Sequence, residues 1–156
     1  MKRTIRTGSR LPRICAIFLL ALITLSCATT GHKDLKVKKA LTQSVDMFNS
    51  DIRWQDYDSA RAFIPKIQED HYWAEIDRMK HDIRLTEYEV RDIVFSENCL
   101  IAWVTVHYQY WSLESPILRN ATVKQTWRFE EAKKAWKVTN TGFKAITENS
   151  SSSSGF

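Results

Sequence analysis

Two pairs of ionisable side chains stand four residues apart, His71 with Glu75 and Asp77 with His81. They lie in a stretch whose apolar residues Trp73, Ile76 and Met79 recur every three or four positions. On a helix this spacing puts both members of a pair on one face, where they could share a metal ion. Two ligands do not complete a metal site and no third stands at a matching offset, so a solvated helix face is the expectation and no metal is assigned. His107 is the other candidate for acid–base work. It falls in the alternating run Cys99 to Trp111, where Ile101, Trp103, Thr105, His107, Gln109 and Trp111 share one face. Leu100, Ala102, Val104, Val106, Tyr108 and Tyr110 share the other, which is small and apolar enough to pack against helices.

A general base needs a carboxylate or imidazole in a poorly hydrated pocket, where its pKa can be tuned toward the working pH. On the face expected to point inward the polar residues are Tyr108, Tyr110, Gln125 and Asn140, with neither acid nor histidine. That pattern argues against proton abstraction and assigns no catalytic residue and no cofactor. It suits binding instead, with Tyr57, Tyr108, Tyr110, Gln125, Trp127 and Asn140 as the expected pocket lining: aromatics for apolar area, amides for orientation. Trp103 and Trp111, flanking His107, would leave an apolar patch on the outer face, so Trp103, His107 and Trp111 are the expected interface, covered by a second copy or another protein.

The elements that would carry these residues divide into helices first and strands after. Asp34 can cap a helix whose Val37, Leu41, Val45, Phe48 and Ile52 share one face. The segment Asp56 to Ile64 reads as a short second helix, and Pro65 suits the first turn of a third. Ile83 to Phe95 is strand-like, Ser96-Glu97-Asn98 is a turn, and Cys99 to Trp111 is a long strand, with Cys99 a small buried hydrophobe. Residues 112–120 read as a connection around Pro116. Val123, Gln125, Trp127 and Phe129 alternate in the next strand, and a last strand follows from Trp136 to Asn140. This order predicts an α+β fold, three N-terminal helices packed on a curved antiparallel sheet, over residues 35–147. Residues 148–156, with five consecutive serines, are the expected disordered tail.

The charge sharpens where the chain acts. Of 156 residues, 23 are Lys or Arg and 18 Asp or Glu, a net charge of +5. Lys2, Arg3, Arg6, Arg10 and Arg13 account for all of the excess, so from Cys27 onward the chain is neutral overall. A nucleic-acid partner is therefore not expected. The basic start precedes a twelve-residue, almost wholly apolar run, Ile14 to Leu25. As a helix these would rise roughly 18 Å, short of the roughly 30 Å hydrocarbon core, which suits a signal peptide better than a permanent span.

Thr24-Leu25-Ser26-Cys27-Ala28 resembles a bacterial lipobox, in which Cys27 would be lipidated and become the new N-terminus. That resemblance implies a signal peptide over 1–26, a tether over 27–34, and an outer-membrane lipoprotein facing the periplasm, anchored to the membrane at Cys27. Cleavage after Ala28 is the alternative that Ser26 and Ala28 leave open. Asp56, Tyr57, Asp58, Ala60, Ala62 and Phe63 in the second helix, with Trp127, Arg128, Phe129, Trp136, Lys137 and Val138 in the closing hairpin, resemble the nuclear-transport-factor-2-like superfamily. The resemblance implies a cystatin-like cone, a bent sheet wrapped around the long first helix, with a pocket between them and an outer sheet face that often forms a homodimer. Members include SnoaL-like isomerases and dehydratases as well as inert binding and assembly domains, so the fold alone does not decide function. The expectation is a lipid-anchored envelope protein that binds a small hydrophobic ligand or an envelope protein without catalysis. The alternatives are a SnoaL-like isomerase or dehydratase, with His107 or a helix acid as base, and an envelope-assembly or secretion-system module working through Trp103 and Trp111.

Overall fold

The computed structural model describes residues 28–113 and 115–151. Residues 1–27, which hold the expected signal peptide and Cys27, lie outside the described residues, as do 114 and 152–156. The chain divides into two units, Met1–Lys36 and Val37–Phe156. Of the first, the described part is the opening of helix α1, Ala28–Arg53. The helix begins earlier than the Asp34 cap and the 27–34 tether anticipate. Gly31 is the one poor helix former in that stretch, and a single glycine costs only about 1 kcal/mol relative to alanine.

Within the second unit, α1 buries Leu41, Val45, Phe48 and Ile52. The helix stops where Gln55 turns to φ 63°. Gln55 N donates to Ile52 O (3.1 Å) and Asp56 N to Asp51 O (2.9 Å), satisfying carbonyls that the helix leaves open. Asp56 then caps α2, Tyr57–Arg61, its Oδ1 accepting from Ser59 N at 3.1 Å. Pro65 precedes a 3₁₀ turn, Lys66–Gln68, which leads into α3, Glu69–Lys80. Tyr72, Ile76 and Met79 form the buried stripe of α3, with Trp73 only half-buried at its edge.

Four strands follow, β1 (Ile83–Phe95), β2 (Ile101–Ser112), β3 (Ser115–Glu130) and β4 (Ala135–Asn140), paired antiparallel in the order β1-β2-β3-β4. In β2 the expected alternation holds: Ala102, Val104, Val106, Tyr108 and Tyr110 are buried, while Trp103 is exposed and His107 half-buried. No bulge interrupts β2 against β3 between Ile101 and Tyr110, so His107 keeps to the outer face with Thr105 and Gln109. Register shifts at Leu85/Glu87 and Val90/Asp92 leave extra residues in β1, and one opposite Thr126/Trp127 leaves Thr139 extra in β4, bending these strands.

Three further boundaries differ from the sequence reading. Cys99 belongs to the β1–β2 turn at φ 55° and is half-buried; Asn98 Oδ1 fixes that turn by accepting from Leu100 N at 3.2 Å. The expected connection 112–120 is nearly all strand, because β3 starts at Ser115. Pro116 fits there since β4 reaches along β3 only from Thr126 to Glu130, leaving the earlier part of β3 as an edge. The chain after β4 continues as α4, Lys144–Ser151, which takes in 148–151 of the expected disordered tail 148–156; the rest of that tail lies outside the described residues. Phe143 and Ile146 are fully buried and tie α4 down, and Lys144 reaches Glu148 at 3.4 Å. Among the described residues no helix is long and apolar enough to cross a membrane.

The core has an aromatic centre. Phe48 from α1 meets Trp127 edge-on at 5.7 Å, Phe63 at 6.2 Å and Phe143 in a stack at 6.1 Å. One ring thus joins α1, the loop after α2, β3 and the lead into α4, and truncating it to alanine would cost about 3–5 kcal/mol.

Candidate functional site

Tyr108, Gln125 and Trp127, three of the residues expected to line a pocket, are brought together on the inner sheet face, and all are fully buried. They meet Asn49, which the sequence reading passed over. Asn49 stands four residues after Val45 and one after Phe48, so α1 aims it into the core. The Tyr108 hydroxyl donates to Asn49 Oδ1. Gln125 Nε2 donates to the same oxygen at 2.8 Å and approaches the Tyr108 hydroxyl at 3.2 Å. Trp127 Nε1 donates to Gln125 Oε1 at 3.1 Å, and Asn49 Nδ2 donates to Val45 O at 2.7 Å. Among the described residues no buried side-chain nitrogen or oxygen lacks a partner. These groups are spent on one another, which fixes α1 against β2 and β3. Burial drives the Tyr108 phenol far above the ordinary tyrosine range, so it stays a neutral donor.

The other expected lining residues lie apart. Tyr57 is half-buried; its carbonyl accepts from the Tyr72 hydroxyl at 2.8 Å, and desolvation raises its own phenol pKa. Tyr110 is buried near the far end of β2, its pKa raised by desolvation. Asn140 does not face inward. It is exposed at the end of β4, where its Oδ1 accepts from Gly142 N at 3.0 Å.

Asn140 instead edges a groove of about 630 Å³ bounded by α3, β3, the end of β4 and α4. The volume falls within the roughly 300–1,000 Å³ of small-molecule sites. His71, Glu75 and Arg78 of α3 form one stripe facing the groove, continued by Gln68 from the 3₁₀ turn before it. Ile64, Tyr72, Val138, Phe143 and Ala145 supply its apolar floor. Glu75 is the half-buried polar centre: Thr141 Oγ1 donates to its Oε2 at 2.7 Å, and His71 Nε2 lies 3.6 Å from its Oε1. Thr141 Oγ1 also accepts from Phe143 N at 3.3 Å, so one hydroxyl links α3 to the start of α4.

Gly142 makes that junction fit. Its φ is +75°, and a Cβ there would lie 2.9 Å from Val123 Cβ and 3.1 Å from Lys124 O. A side chain would be strained twice over, once by the backbone and once by β3. Signals for this site existed in the sequence, in the 68/71/75/78 spacing and in a lone glycine after the last strand. The chain crossing that joins them did not show there.

In the second helical pair Asp77 bonds Lys80 at 2.6 Å, and that bond, with the Lys80 charge, lowers its pKa. A second groove, also about 630 Å³, runs between α1 and β1. There the Tyr88 hydroxyl donates to Asp46 Oδ1 at 2.7 Å; burial, and then that bond and charge, push its pKa up to about 12. On the outer face, Trp103 is 40% exposed beside Val94, 50% exposed and paired with it across β1 and β2. His107 Nδ1 lies 3.1 Å from Thr122 Oγ1, and Trp111 is half-buried. Trp103, His107 and Trp111 do share this face, as their alternation requires.

No family model matches the chain, and no curated protein is significantly similar to it. Among solved structures it is similar to a ketosteroid isomerase-like protein from Erwinia carotovora atroseptica, at 9% identity and a TM-score of 0.48, over 64% of this chain and 88% of that one. It is also similar to a protein of unknown function with a cystatin-like fold from Nostoc punctiforme, at 13% identity and a TM-score of 0.44, over 65% of this chain and 84% of that one. The α+β class follows directly from the helices and the antiparallel sheet described above.

Proposed function

We propose that this chain is an exported lipoprotein of the bacterial envelope, anchored through Cys27 to the outer membrane and facing the periplasm, whose folded unit binds a small hydrophobic molecule without catalysing a reaction. The observation that carries the binding reading is the closed Asn49–Tyr108–Gln125–Trp127 network. It uses up the inward polar groups that chemistry would need, and it directs a ligand to the groove beside α3. The apolar run ending at Cys27 supports the anchor. Native mass spectrometry of gently purified protein should find a retained small molecule, and labelled palmitate should enter the wild type but not Cys27→Ala. Protein that is repeatedly ligand-free, or a Cys27→Ala variant that still takes up label and stays with membranes, would sink the corresponding half of the reading.

Glu75 favours a second reading, an isomerase or dehydratase. It is a half-buried carboxylate in a groove, held by Thr141 and beside an imidazole, the kind of group that could take a proton next to a carbonyl. That reading requires turnover of an enolisable or β-hydroxy carbonyl compound that disappears in Glu75→Gln. The exposed Trp103/Val94 pair supports a homodimer or an envelope-protein contact across the outer sheet face.

A further inference from the structure

We propose that the open edge of β3 is a docking site for a short extended segment of another protein, which adds to the sheet as a strand. This partner is additional to the small molecule of the groove. A sheet edge leaves a row of backbone donors and acceptors to be satisfied or screened, and the edges of this sheet differ in how that is done. β1 is interrupted by two extra residues and carries exposed Glu87, Glu89, Arg91 and Asp92, features that discourage pairing. β4 is covered by the chain after α2: Val138 N donates to Phe63 O at 2.9 Å and Lys137 Nζ to Ala62 O at 2.5 Å. The early part of β3 has neither device. It pairs with β2 in unbroken register from Arg119 to Arg128, and among the described residues no strand lies on its other side before Thr126.

Phe129 N donates to Leu100 O at 2.8 Å, on the β2 side. By the alternation of an antiparallel ladder, Ala121 and Val123 also turn their backbone groups toward β2, while Asn120, Thr122 and Lys124 turn theirs away. Thr126 agrees, its carbonyl accepting from Thr139 Oγ1 of β4 at 3.2 Å. The chain at Gly142 closes the edge at one end, where a Cβ would lie 3.1 Å from Lys124 O. Pro116, without an N–H, closes the other. Between them Asn120 and Thr122 are exposed and present two N–H and two C=O groups. Ile117 and Leu118, 66% and 54% exposed, stand at the start of this window, so the segment that fits it is extended and apolar toward Pro116. A second copy does not fit: β3 paired with β3 about Asn120 would run each strand into the Gly142 crossing of the other. The occupant is a short segment that ends or turns at Gly142.

Amide exchange in the isotope-labelled full-length chain, followed by NMR, tests the edge and then its occupant. In the free protein the amides of Asn120 and Thr122 should exchange fast while those of Ala121 and Val123 exchange slowly. The probe is a capped Thr-Val-Thr-Val-Leu peptide, kept below the concentration at which it self-associates. It should slow exchange at Asn120 and Thr122 and leave Ala121 and Val123 unchanged. Its fully N-methylated twin, which keeps the side chains but donates nothing, should bind at least about tenfold more weakly. Asn120→Pro removes one edge-facing N–H without touching the β2 ladder, so its thermal melt should stay and its affinity for the peptide fall about five- to tenfold. Slow exchange at Asn120 and Thr122 in the free protein would mean that the edge is already covered, by a second copy if the slowing grows with protein concentration, and would overturn the proposal. Equal binding of the peptide and its methylated twin would overturn it as well, as would a peptide that leaves both amides exchanging fast.

Discussion

Replacing Asn49 by leucine separates a closed interior from an open pocket. The side chain has nearly the same size, so packing is largely kept, but Oδ1 disappears as the acceptor for the Tyr108 hydroxyl and for Gln125 Nε2. Gln125 Nε2 retains the Tyr108 oxygen at 3.2 Å, and Val45 O remains within the α1 ladder, so the group left without a partner is the Tyr108 O–H. Stranding one buried donor costs about 1–3 kcal/mol. Tyr108→Phe strands nothing, because Asn49 Oδ1 and Gln125 Nε2 keep each other at 2.8 Å, and it should cost about 0.5–1.5 kcal/mol. Urea unfolding at neutral pH therefore ranks Asn49→Leu as the more damaging change by about 1 kcal/mol, with unchanged m-values. If the interior were a solvated pocket, water would take over the acceptor role and Asn49→Leu would cost less than about 0.5 kcal/mol. That result, or a reversed ranking, would refute the closed network.

Gly142→Ala should lose about 1–3 kcal/mol, read by thermal melting, and should loosen α4, read as faster amide exchange at Ile146. An Ala variant as stable as wild type would mean that the junction shifts at no cost. At high pH, Tyr88 should resist ionisation until about pH 12 while the unfolded chain ionises near 10.0. Native stability is therefore full below about pH 10 and falls as the pH rises toward 12. In Tyr88→Phe that loss should shrink; an identical alkaline decline would remove Tyr88 as a cause. Trp103→Glu should convert any dimer to monomer in sedimentation equilibrium without altering the melt, and a dimer that survives it would place the interface elsewhere.

The helix-then-strand order was legible because α1 and β2 carry clean periodicities, Leu41/Val45/Phe48/Ile52 at helical spacing and Ala102 through Tyr110 at every second position. Pro116 misled because a proline reads as a break unless the edge on which it sits is known, and that edge depends on how short β4 is. The start of the expected tail, residues 148–151, is helical because Phe143 and Ile146 anchor α4 from within the core, which composition alone does not reveal. The inner-face residues Tyr108, Gln125 and Trp127 were found by alternation. Whether they bordered a void or one another turned on Asn49, a polar residue within an apolar stripe that a search for hydrophobic positions skips. Asn140 misled differently: alternation from Trp136 and Val138 carries it inward, but Thr139 is an extra residue against β3, so Asn140 pairs with Thr126 on the outer face and its Oδ1 accepts from Gly142 N.

The central claim is that this unit binds its ligand in the groove beside α3 while its interior stays closed. A crystal structure of the protein with the molecule it retains tests this most directly. Density against Arg78, Thr141 and Phe143, with the Asn49–Tyr108–Gln125 contacts intact, is the predicted result. Density beside Tyr108 and Gln125, with those contacts broken, would contradict it.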